Sequence, residues 1–65
     1  MAQINGRPAP EADGRTVAEV LEQMGCERAR VACELNGEIL PRAEFDARRL
    51  MAEDALEIVR FVGGG

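Results

Sequence analysis

The apolar positions of this chain change period along its length, from two to the helical spacing and back to two, and that change divides it into elements. Met1 to Ile4 places Ala2 and Ile4 on one side, as in a short strand. Asn5-Gly6 follows, a pair that tolerates positive φ at both positions and closes the tightest hairpins. Arg7 to Ala12 is expected to return as a strand, and Pro8 and Pro10, which cannot donate to a ladder, put it at a sheet edge. Asp13-Gly14 marks a second turn. Val17, Val20, Leu21 and Met24 then fall at i, i+3, i+4 and i+7, which predicts a helix with one buried stripe. Thr16 and Glu19 have capping-box spacing at its start. Gly25 supplies its stop.

Alternation resumes from Arg30 to Asn36, with Val31, Cys33 and Leu35 inward and Ala32 and Glu34 outward. Asn36-Gly37 predicts another tight turn and Glu38-Ile39-Leu40 a short return strand, ended by Pro41-Arg42. Ala43 to Leu50 is polar and predicts a loop with at most one helical turn; Phe45, Leu50 and Met51 are expected to cover an open end of the core. The final strand is expected over Leu56 to Val62. Leu56, Ile58, Arg60 and Val62 share one side; Glu57, Val59 and Phe61 share the other. Apolar groups on both sides suit a central strand, or one whose outer face meets a partner. Leu56 and Ile58 are assigned to the core beneath the helix. Val59 and Phe61 fit a buried sheet face and a docking surface equally well.

A hairpin, a helix across one face and further strands is the arrangement of the ubiquitin-like β-grasp. The expected class is therefore α+β, a mixed sheet of four to five strands with one main helix packed on one face and the last strand beside the first. One domain is expected over residues 1–65, with a flexible glycine tail at 63–65.

Size and charge narrow the function. A chain of 65 residues buries only about 60% of its unfolded surface, which leaves little room for an enclosed catalytic cleft. Twelve acids oppose eight bases, all arginine, for a net charge of −4. That balance argues against nucleic acid or an anionic membrane as a partner. With no histidine, no phosphate-binding loop and no cluster of metal-ligating residues, an ordinary enzyme is not expected. Cys26 and Cys33 are too few for a disulfide framework, and no signal peptide or membrane-length apolar run is present, so a cytoplasmic protein is expected. Cys33 reads as a small core residue and Cys26 as partly exposed.

What remains is the end of the chain. Gly63, Gly64 and Gly65 carry no side chains and can thread a channel too narrow for other residues. Extended, three residues reach about 10 Å. A terminal carboxylate is ionised at neutral pH and can attack a phosphate of ATP, becoming an activated acyl group. On composition alone, a frayed terminus is an equally good reading of the glycines.

The order of residues ahead of them resembles the ThiS family of sulfur carriers in thiamine biosynthesis. The likeness covers nearly the whole chain and rests on Asn5-Gly6, Thr16-Val17, Leu21, Gly25 and Val31-Ala32 leading into Asn36-Gly37. It continues through Leu40-Pro41-Arg42, Asp54, Leu56-Glu57-Ile58-Val59 and Val62-Gly63-Gly64-Gly65. Two departures stand out: Glu53 where the family usually has glycine before the aspartate, and the proline-rich stretch from Arg7 to Ala12. The resemblance implies that an E1-like adenylyltransferase uses MgATP to adenylate the Gly65 carboxylate, the carrier binding no cofactor of its own. A cysteine desulfurase or other sulfur donor would then supply the sulfur of a thiocarboxylate, and a thiazole synthase would receive it. Gly63 and Gly64 would thread the partner's channel, and Val59, Phe61 and Val62 would form the docking surface. Carriers for molybdopterin, cysteine or tRNA thiolation share the tail chemistry, as does a ubiquitin-like protein modifier.

Overall fold

The elements are positioned by two Asn-Gly turns that do more than reverse the chain. The computed structural model describes residues 1–61. Strands β1 (Gln3–Ile4), β2 (Arg7–Pro8), β3 (Val31–Leu35), β4 (Glu38–Leu40) and β5 (Ala55–Arg60) form one sheet in the order β2-β1-β5-β3-β4. β1 and β5 run parallel and the other pairs antiparallel. Helix α1 (Val17–Gln23) lies in the crossover. This mixed sheet with one main helix is the expected β-grasp.

Asn5 (φ 51°) and Gly6 (φ 80°) turn β1 into β2, and Asn36 (φ 53°) and Gly37 (φ 85°) turn β3 into β4, so all four take the left-handed conformation. Both asparagines also hold β5. The Asn5 side-chain oxygen accepts the Ile58 N–H at 2.7 Å, and its own N–H donates to the Leu56 carbonyl at 2.8 Å. The Asn36 side-chain oxygen accepts the Ala55 N–H at 2.9 Å, while its amide donates to Asp54 at 2.9 Å. Each such bond contributes about 0.5–1.5 kcal/mol net. The central strand is thus pinned from both flanks at its start.

Val17, Val20 and Leu21 of α1 join Ala2, Val31, Cys33, Leu35, Leu40, Leu56 and Ile58 in one buried cluster. The capping box is formed: the Glu19 N–H donates to the Thr16 hydroxyl at 3.1 Å, and the Thr16 N–H donates to the Glu19 carboxylate at 2.8 Å. That second bond is the main reason the Glu19 carboxyl is held below its ordinary range. The next two amides of the helix start, Val17 and Ala18, donate to the carbonyls of Arg48 and Phe45, which satisfies donors a helix end leaves open. In this way the irregular segment after β4 is tied across the helix N-terminus. Phe45 and Leu50 from that segment are fully buried. It contains one short 3₁₀ turn, Arg42–Glu44, and a single bridge between Thr16 and Arg49.

Four expectations are corrected. The return strand over Arg7 to Ala12 shortens to Arg7–Pro8, after which Pro10–Ala12 forms a 3₁₀ turn. Pro10 sits at its first position, where the fixed φ suits a helical turn and the missing N–H costs nothing. Met24 leaves the helix stripe: it is the C-cap residue and 40% exposed, while Cys26 packs against the core instead. Met51 does not cover the core either, and is 61% exposed. β5 begins at Ala55 and ends at Arg60; the Phe61 N–H still donates to the Arg30 carbonyl at 2.9 Å. Val62 and the flexible tail expected at 63–65 lie outside the described residues.

The turn into β5 explains how Glu53 replaces glycine. Among the described residues only Asn5 and Asn36 are non-glycine positions with positive φ, so Glu53 needs no left-handed backbone. The turn is closed by the Asp54 N–H donating to the Met51 carbonyl at 3.0 Å and by the Met51 N–H donating back to the Asp54 carboxylate at 2.8 Å. Burial is the largest single influence on Asp54 and pushes its carboxyl up. The bonds from Asn36 and Met51 and the Arg48 guanidinium at 3.2 Å together outweigh it and hold the group below the usual carboxylate range. A carboxyl depressed by folding stabilises the protein above its unfolded value, about 3.9, and loses that contribution as pH falls through the folded value. Asp54→Asn is therefore expected to lower stability to urea at pH 7, with the gap from the parent protein narrowing as the pH falls below about 4. A gap that stays constant with pH would show that the charge is immaterial.

Candidate docking face and chain end

Because side chains alternate across a strand, burying Leu56 and Ile58 forces Glu57, Val59 and Phe61 to the opposite side. Among the described residues no element covers that side. Val59 and Phe61 are each 55% exposed, which settles the ambiguity of this strand in favour of an open face. The register extends the surface across the sheet: Val59 faces Ala32 on β3, and Glu57 faces Glu34, which faces Ile39 on β4. Ile39 is 78% exposed and was not singled out in the sequence. Its signal was present only in combination, since the alternation of Glu38-Ile39-Leu40 acquires a sense once Leu40 is known to be inside.

Glu34 and Glu57 are a like-charged pair directly opposite one another, and no ion pair to either forms among the described residues. Such pairs are destabilising in a sheet. Glu34→Arg would convert the pair to opposite charges, with an expected gain of roughly 0.5–1 kcal/mol in urea unfolding at low salt. No gain would mean that the two carboxylates do not feel each other.

At the far end of β5, Arg60 turns aside and its guanidinium donates to the Cys26 sulfur at 3.1 Å. Arg42 from the segment after β4 lies over the Phe61 ring, 5.9 Å from its centroid. Val59 and Phe61, both expected from the sequence, thus sit on one face at the end of the described residues. The others, Val62, Gly63, Gly64 and Gly65, lie outside the described residues. Cys33 offers no alternative chemistry at this face. It is buried inside, and that burial pushes its thiol above the ordinary range, which keeps it protonated. No group of three or more metal-ligating side chains occurs among the described residues, and no helix of theirs is long and apolar enough to cross a membrane.

A mixed five-stranded sheet with one main helix in the crossover defines the class, the ubiquitin-like β-grasp proteins. The chain belongs to the ThiS family, whose sequence profile matches residues 2–65. It is 42% identical over 65 residues to the sulfur carrier protein ThiS of Thermus thermophilus, covering 100% of both chains. It superposes on the crystal structure of the thiamine biosynthesis protein ThiS from Geobacter metallireducens with a TM-score of 0.76 and 36% identity, covering 98% of this chain and 97% of the other. It is also 37% identical over 62 residues to a thiazole synthase of Paramagnetospirillum magneticum, and there the match takes 95% of this chain but 19% of the relative.

Proposed function

We propose that this protein is a sulfur carrier of thiamine biosynthesis that works through the carboxylate of Gly65. The observation that carries the reading is the exposure of Val59 and Phe61 on the strand leading into Gly63-Gly64-Gly65. A strand serving the fold alone would bury both of its apolar faces; this one keeps the face nearest the chain end open. An apolar patch rimmed by charged groups is a surface suited to a protein partner.

In this reading Val59, Phe61 and Val62 dock an E1-like adenylyltransferase, while Gly63 and Gly64 pass into its channel. A Gly65 carboxylate oxygen attacks the α-phosphorus of MgATP held by that enzyme, and pyrophosphate leaves. The terminal sulfur of a persulfide, supplied by a cysteine desulfurase or another donor, displaces AMP from the acyl carbon to give an acyl disulfide. A thiol reductant cleaves that S–S bond to leave the thiocarboxylate. A thiazole synthase then takes the sulfur. The catalytic groups belong to the partners. The likeness to part of a thiazole synthase supports that partner, because there a region similar to this chain occurs within a polypeptide named for the acceptor reaction.

The test is ATP–pyrophosphate exchange by a ThiS-type adenylyltransferase in the presence of this protein. Exchange that depends on the carrier and disappears with Val59→Asp or Phe61→Asp, both on the open face, supports the reading. Exchange unaffected by either charge would refute the docking face.

A further inference from the structure

Of the residues in the Leu40-Pro41-Arg42 run, Arg42 is the one whose role neither the core nor the chemistry of the tail explains. Pro41, extended at φ −60° and ψ 141°, turns the chain away from β4, and the Arg42 side chain comes back across the end of β3. There Nη2 donates to the Val31 carbonyl at 2.7 Å and Nε to the Arg28 carbonyl at 3.0 Å. Arg28 reciprocates, its Nη2 donating to the Arg42 carbonyl at 3.0 Å. The same Arg42 guanidinium stands over Phe61, within the range at which a cation is attracted to a ring face. Between Arg28 and Val31 lies Arg30, whose carbonyl accepts the Phe61 N–H. One side chain therefore ties the entry of β3 to the ring of the last described residue. A solvated surface arginine has no reason to make three such contacts.

We propose that Arg42 is a positioning residue for the reaction at Gly65, holding Phe61 against the sheet. The inference rests on the carrier reading above. Reaction at a carboxylate four residues beyond Phe61 depends on where that anchor sits, and a displacement of about 1 Å at a reacting centre can cost roughly 100-fold. Lysine would not substitute well, because it lacks the planar fork that bonds two carbonyls while lying on a ring.

Two readouts on Arg42→Ala and Arg42→Lys test this. On the carrier alone, hydrogen exchange of the Phe61 amide by NMR is expected to speed up roughly 10-fold in Arg42→Ala and less in Arg42→Lys. In pyrophosphate exchange, kcat is expected to fall roughly 10-fold or more with KM for the carrier changed less than about 2-fold. Thr16→Ala, which weakens the fold at the helix cap far from Phe61 in sequence, is expected to leave kcat unchanged. A raised KM at constant kcat would make Arg42 a docking contact and overturn the proposal, as would an equal loss of kcat in Thr16→Ala or unchanged Phe61 exchange. If the parent protein supports no pyrophosphate exchange at all, the carrier reading fails, while the amide measurement still decides whether Arg42 holds Phe61.

Discussion

Deleting Gly65, or appending one residue after it, is expected to abolish sulfur loading and with it any growth that depends on this carrier. The argument is geometric. One residue moves the terminal carboxylate by about 3.3–3.6 Å, and the attack on a phosphate held by another protein tolerates far less. A loss of at least 100-fold in the rate of adenylation follows on that basis. A bulkier residue at Gly64 is expected to act in the same direction for a different reason, since any side chain must fit the partner's channel. Complementation of a strain lacking its own carrier, on medium without thiamine, reads the outcome. Undiminished growth with the extended or shortened chain would reduce the protein to a binding module whose terminal glycines have no chemistry.

The second large effect concerns stability, at Phe45. Its ring is fully buried, and the Arg28 guanidinium lies 5.5 Å from its centroid. Phe45→Ala is expected to cost about 3–5 kcal/mol. Domains of this size are held by roughly 0.05–0.15 kcal/mol per residue, so this one substitution removes much or all of the margin. Thermal unfolding followed by circular dichroism should show a poorly cooperative or largely unfolded chain at room temperature. A loss below about 1 kcal/mol would mean that the segment after β4 merely covers the core and does not belong to it.

That segment also shows where the sequence stops being informative. Asn5-Gly6, Asn36-Gly37 and the Thr16–Glu19 capping box are legible because each is a local backbone problem with few chemical solutions. Their second role is not: that both asparagine side chains reach β5 depends on which strands lie side by side. The apolar character of Phe45 and Leu50 marks them as core residues, as found. Residues 42–50 have no periodicity, however, and where they meet the start of α1 depends on a contact between elements far apart in the chain. Met24 fits the helical stripe yet falls beyond the last turn, because periodicity carries no information on where a helix stops. The candidate site divides in the same way. The glycines suggest their chemistry without any structure, whereas Val59 and Phe61 sit on a strand apolar on both sides, and only the packing of α1 against the sheet shows which side is open. The role of Arg42 is not legible in the sequence either, because its contacts with the Val31 carbonyl and with Phe61 are both non-local.

Intact-mass spectrometry of the protein, after incubation with a ThiS-type adenylyltransferase, MgATP and a sulfur source, addresses the central claim most directly. The mass should rise by the difference between sulfur and oxygen, once per chain, with fragmentation placing the change on Gly65 and the Gly65-deleted chain remaining unmodified. An unchanged mass under conditions where the enzyme loads the Thermus thermophilus relative would contradict it.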